Sequence, residues 1–209
     1  MKRSEFFNNW SLLHGNAEVK GIVKSWLTIS FFISWPLVKA RVSPNLLSVT
    51  APFVGLIFYL KIDSHWAIFL LVLSLLLDGI DGSIAILTKR TSKFGALLDG
   101  VMDRITEFFW ALAFIKIGGP VLLVAIAAIF AFGQEYLRAR SGGLGVNEVL
   151  VVTLAERPVR ATMIFIPLIA RLFQLELASF FAILWSVMQT LSFIYLFLVL
   201  RSRLRQSPR

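Results

Sequence analysis

The sequence predicts an all-α integral membrane protein: six transmembrane helices preceded by an N-terminal amphipathic helix lying in the headgroup plane. Three observations carry that expectation. Apolar residues make up 57% of the 209 and charged residues 16%, with a mean hydropathy of +0.79, far from the mixture of a soluble domain. Six apolar runs approach the ~20 residues with which a helix crosses a bilayer. Lysine and arginine gather in alternate loops, as the positive-inside rule requires of a cytoplasmic face.

Residues 1–43 form a cytoplasmic, juxtamembrane segment. Within it, residues 20–40 place Trp26, Phe31, Phe32 and Trp35 between lysines at both ends, the pattern of a helix at the interface. Pro36 is expected to interrupt any span there. A removable signal peptide is not expected, because this apolar stretch starts well past Met1 and ends in Lys39 and Arg41 without a small-residue cleavage site.

The membrane domain, residues 44–200, contains the runs Pro44–Ile62, His65–Leu87, Phe94–Ile117, Pro120–Leu137, Pro158–Phe173 and Leu177–Leu200. Loops rich in turn formers or charge separate them, the longest reaching from Ser141 to Arg157. The basic tail, residues 201–209, is expected to be cytoplasmic and frayed.

With the N-terminus inside, seventeen of the 21 Lys and Arg residues fall on the cytoplasmic side. Lys61, Lys116 and Arg171 fall outside, and Arg104 lies within the third run. Both termini are therefore expected in the cytoplasm, and in a bacterium the membrane would be the cytoplasmic one. The net charge of +9 follows from this topology. No aromatic and basic interleaving accompanies it, so no nucleic-acid partner is expected. The absence of cysteine excludes disulfides and thiolate metal sites, and His14 and His65 are too few and too far apart for zinc. Trp26, Trp35, Trp66 and Trp110 read as interfacial anchors.

Against this background four aspartates, Asp78, Asp81, Asp99 and Asp103, are the least expected feature. A carboxylate at the centre of a membrane helix costs about 2.5–3.5 kcal/mol, so four together require cations or a watery cavity. Helical periodicity puts Asp78 and Asp81 on one face with Gly82 and Ala85, and Gly95, Asp99 and Asp103 on one stripe of the next helix. The short connector through Lys89, Arg90 and Lys93 makes those helices antiparallel neighbours. Clustered carboxylates suit the hard ions Mg²⁺ and Mn²⁺, which hold substrate phosphates. Two such ions would clamp a diphosphate and leave one carboxylate to take a proton from an attacking hydroxyl.

The run from Asp78 through Asp81-Gly82 and Ala85, then Gly95, Asp99 and Asp103, resembles the signature of the CDP-alcohol phosphotransferase family, D-x2-D-G-x2-A-R-x8-G-x3-D-x3-D. Seven of its eight fixed positions match at the right spacing. The resemblance implies transfer of a phosphatidyl group from a CDP-lipid to a small polar alcohol with release of CMP, two divalent cations, a membrane-lipid environment and a homodimer. Carried over, Asp78, Asp81 and Asp99 would be metal ligands, and Asp103 would share the metal site as general base. Gly82 and Ala85 would let the cytidine nucleotide lie close to the helix, and Gly95 would allow close helix approach. The family's arginine is Ile86 here. Lys89 and Arg90, three and four residues further along the helical face, are read as its replacement for the donor phosphates.

Downstream, Arg138 in Arg138-Ala139-Arg140 and Arg157 and Arg160 in Glu156-Arg157-Pro158-Val159-Arg160 flank the long loop. Several guanidinium groups suit a phosphorylated alcohol, and both segments are similar to those of the family's phosphatidylinositol-phosphate synthase branch. Inositol phosphate is thus the favoured acceptor, with glycerol 3-phosphate as its competitor. A cation transporter is the alternative of another class, but a conduction path should carry carboxylates at several depths. A catalytically impaired scaffold is the other, motivated by Ile86.

Overall fold

The structure, a computed structural model, describes residues 1–13, 17–146 and 151–206. Among these there are eight α-helices and no strand. They are α1 (Arg3–Leu13), α2 (Gly21–Lys39), α3 (Pro44–Leu60), α4 (Ala67–Leu87), α5 (Lys93–Lys116), α6 (Val121–Gly142), α7 (Arg157–Leu172) and α8 (Ala178–Gln206). His14, part of the long loop at residues 147–150, and the last tail residues including Arg209 lie outside the described residues.

Helices α4, α6 and α8 are long and apolar enough to cross a membrane, and α2 with α3 would add a fourth span if that pair, bent by 110°, were one. The chain is thus a multi-pass membrane protein by length and composition. The remaining predicted runs differ for identifiable reasons. Helices α3 and α7, with 17 and 16 residues, rise about 25 Å against a hydrocarbon core of about 30 Å. Helix α5 has 24 residues but carries Asp99, Asp103, Arg104 and Glu107 in its length.

Helix α1 has little apolar periodicity of its own, and forms because Phe6, fully buried, packs with Leu27, Phe31 and Ile86. Three local expectations are corrected. Helix α2 runs through Pro36, which forfeits only the bond its N–H would make to the Phe32 carbonyl. The chain breaks instead after Lys39, where Arg41 adopts a φ of 57°. Helix α8 continues to Gln206, because Arg201, Arg203 and Arg205 are good helix formers at the end where the dipole favours cations. Trp110 is buried, with the Arg157 guanidinium 5.4 Å above its ring, whereas Trp26, Trp35 and Trp66 are exposed.

The helices cluster into two units. The first comprises Met1–Leu56 and Val72–Thr106. There α2 lies tight on α4: Trp26 sits over Gly79, and the buried Ser83 hydroxyl donates to Ser30 at 3.1 Å. The second comprises Ile57–Leu71 and Glu107–Arg209. In it α8 packs on α6 and α7, with Phe193 against Gly133 and a buried polar seam in which Gln189 donates to Gln134 at 2.9 Å and Gln134 to Thr153 at 3.2 Å.

Candidate metal and nucleotide site

The turn between α4 and α5 in the first unit sets the site. Helix α4 closes on a left-handed residue: Lys89 has a φ of 55°, its N–H bonds to the Ile86 carbonyl at 3.1 Å and the Arg90 N–H reaches back to Ala85 at 2.8 Å. This pair of bonds satisfies carbonyls that the helix end leaves open. Three residues later the Ser92 hydroxyl accepts the Gly95 N–H at 2.9 Å, capping α5. The reversal is complete within five residues and returns α5 alongside α4.

Asp78 from α4 and Asp99 and Asp103 from α5 then converge. One carboxylate oxygen of each lies within 4.8 Å of the others, and all three side chains are half-buried. The donor set fits a hard divalent cation, since every ligand is an anionic oxygen and neither thiolate nor imidazole contributes. Asp81 is placed differently. It is buried, accepts hydrogen bonds from the Ser48 hydroxyl of α3 and the Gly82 N–H, and lies against Asp99. Ser48 was not singled out from the sequence. The signal available was a hydroxyl one turn beyond Asn45 on α3.

A cavity of about 520 Å³ opens beside these groups, with Asp81, Gly82, Ala85, Arg90, Gly95 and Asp99 on its wall. No other group stands within 4 Å of where a Gly82 side chain would start, so the backbone is open to a ligand. Gly95 serves packing as well: a Cβ there would meet Ser92 Oγ at 3.1 Å and Asn45 Oδ1 at 3.4 Å. Lys89 does not line the cavity. The expectation that Lys89 and Arg90 share the continuing face of α4 is corrected by the left-handed turn, which ends the helix first and separates them. Ile86 is on the wall and also buried against α1.

The three arginines expected to meet an acceptor phosphate belong to the second unit, and there they sit among carboxylates. Arg160 is 1% exposed, its Nη1 2.8 Å from each Glu107 oxygen and its Nη2 2.6 Å from Glu135. Its Nε donates to the Ala155 carbonyl at 2.9 Å. Arg138 forks onto Glu156 at 2.6 and 3.0 Å and donates to the Val151 carbonyl at 3.2 Å. Arg157 has its Nε 3.6 Å from Glu107 and its guanidinium over the Trp110 ring. Burial alone would push the Glu156 carboxyl up. The Arg138 guanidinium and the Thr153 N–H and hydroxyl outweigh it, and the group lies below the ordinary glutamate value.

The chain is similar to several known proteins. The chain is 39% identical over 120 residues to a protein of Aquifex aeolicus, covering 52% of this chain and 60% of that one. It is 32% identical over 155 residues to an archaetidylinositol phosphate synthase of Aeropyrum pernix, covering 72% and 77%. Its fold matches the crystal structure of Mycobacterium tuberculosis phosphatidylinositol phosphate synthase with CDP-DAG bound, with a TM-score of 0.65 at 18% identity over 83% of this chain and 94% of that one. A family model described as CDP-alcohol phosphatidyltransferase matches residues 41–200, which include every aspartate of the cluster and the whole wall of the cavity except Leu13. By that match the chain belongs to the CDP-alcohol phosphatidyltransferase family.

Proposed function

We propose that this chain transfers the phosphatidyl group of CDP-diacylglycerol, or a similar CDP-lipid, to a hydroxyl of a phosphorylated inositol and releases CMP. The observation that carries the reading is the cluster of Asp78, Asp99 and Asp103 beside a cavity walled by Asp81, Gly82 and Arg90. Mg²⁺ or Mn²⁺, two ions per site, would neutralise the donor diphosphate and polarise the attacked phosphorus. The chain's own part is to hold and orient. Asp78, Asp81 and Asp99 bind, with Ser48 fixing the Asp81 carboxylate. Gly82 and Ala85 give the nucleotide backbone-close room. Asp103 takes the proton of the acceptor hydroxyl as its oxygen bonds to phosphorus and the bond to CMP breaks.

Acceptor-phosphate recognition by Arg138, Arg157 and Arg160 is part of the proposal. Arg160 and Arg138 are tied to Glu107, Glu135 and Glu156, and the several guanidinium groups of this region suit a phosphorylated alcohol. The reading extends to six membrane crossings with α2 in the headgroup plane, both termini cytoplasmic, and a homodimer. The 110° bend from α2 to α3 and the exposed Ile29, Phe32 and Trp35 of α2 support the in-plane helix.

The test is CMP release by purified protein with a CDP-lipid, comparing inositol phosphate, glycerol 3-phosphate and serine as acceptors, with and without EDTA. The expected result is EDTA-sensitive release that is fastest with inositol phosphate. Equal or faster release with glycerol 3-phosphate would overturn the acceptor assignment.

A further inference from the structure

Position 86 is where the family signature carries arginine and this chain carries isoleucine. Its side chain is 6% exposed and joins Phe6, Leu27 and Phe31 in one apolar cluster, with Trp10 and Leu87 packed against it. The same side chain is on the cavity wall, so an arginine there would give up the apolar contacts with α1 and α2 that isoleucine makes. The cluster joins α1 to α2 and α4, and at the far end of α1 Leu13 reaches the wall of the cavity. The cavity still has cations on its wall, Arg90 and Lys93. Arg90 is brought there by backbone geometry: the left-handed Lys89 and the bond from the Arg90 N–H to Ala85 turn residue 90 back over the end of α4. There the helix dipole favours a cation, and a planar fork suits a diphosphate better than an ammonium does. Lys93, at the first residue of α5, faces the opposite end of a dipole.

We propose that the donor-phosphate contact has moved from position 86 to Arg90, and that Ile86 now seats α1, whose Leu13 closes one wall of the donor cavity. The inference rests on the proposed use of a CDP-lipid donor. It assigns the phosphate contact to one of the two connector residues that the sequence left equivalent, and it gives the N-terminal helix a place in the donor site.

The experiment titrates CDP and cytidine separately into full-length, detergent-purified protein with Mg²⁺, and follows hydrogen exchange of residues 3–13 in the same samples. Arg90→Ala should weaken CDP binding about tenfold or more while leaving cytidine within twofold, Arg90→Lys should recover part of the loss, and Lys89→Ala should change neither. Ile86→Ala and Ile86→Arg should both raise exchange in α1, and Ile86→Arg should not restore CDP binding to Arg90→Ala. CDP binding unchanged in Arg90→Ala, or cytidine weakened as much as CDP, overturns the phosphate assignment. Unchanged exchange in α1 in both Ile86 variants overturns the seating role. If the unaltered protein binds neither ligand, the proposed function falls as well, whereas normal binding by wild type with an indifferent Arg90 removes this inference alone.

Discussion

Arg160 and Glu107 stand 53 residues apart in sequence and meet with one guanidinium nitrogen 2.8 Å from both carboxylate oxygens. With Glu135 and the Ala155 carbonyl on its other nitrogens, the buried arginine has all its edges occupied. Removing it takes a buried cation away from Glu107 and Glu135, and loss of one partner of a buried ion pair typically costs about 3–5 kcal/mol. Arg160→Ala should therefore lower the unfolding temperature in detergent sharply, and Arg160→Lys should recover little, since an ammonium cannot match the fork. Unfolding indistinguishable from wild type would show that the pairing is incidental.

Trp26 is packed so closely on Gly79 that a Cβ at position 79 would fall 2.5 Å from its Cζ2. Gly79→Ala must push α2 away from α4 or turn the indole out, an overpacking cost of about 1–3 kcal/mol. Because Gly79 follows Asp78, the strain should also reach the aspartate cluster. Mn²⁺ affinity, read by isothermal titration, should fall in Gly79→Ala and return when Trp26→Leu is added. A double variant no better than the single one would place the strain elsewhere.

How much of this was legible beforehand follows the range of each interaction. Spacings of three and four put Asp78 with Asp81 and Asp99 with Asp103 on helical faces, a local rule that needs no tertiary knowledge. It could not say that Ser48 would take Asp81, because that bond depends on how α3 packs. Nor could it say that Glu107 would meet Arg160, which comes from another helix altogether. Helix α1 was invisible because its stability lies in the packing of Phe6 against α2 and Ile86 rather than in its own pattern. Lys89 misled for a different reason: helical extrapolation assumes the helix continues, and nothing in a lysine announces a left-handed residue.

Asp78 and Asp103 share the cluster yet have different proposed duties, so their amides should fail differently. Asp78→Asn removes a ligand charge and should weaken Mn²⁺ binding about tenfold or more, with activity partly recovered at high metal. Asp103→Asn removes the proton acceptor and should lower kcat by about 10²–10⁴-fold at saturating metal. Identical metal titrations and turnover for the two variants would contradict the division.

Glu156 gives the second unit an acid-sensitive clasp. Its carboxylate accepts from Arg138 and from the N–H and hydroxyl of Thr153, and these donors hold its pKa below the ordinary value despite burial. A depressed folded-state pKa means stabilisation that is complete above the unfolded value of about 4.3, and that is lost as pH falls through the lower folded value. Protection of the Thr153 amide against hydrogen exchange should therefore hold at neutral pH and drop across the acid range below about pH 4.3. Glu156→Gln, which keeps the shape but not the charge, should show low protection already at pH 7 and little further change on acidification. Full protection of that amide in the glutamine variant at neutral pH would mean that the loop is held by its neighbours, and that the charge on Glu156 contributes nothing to it.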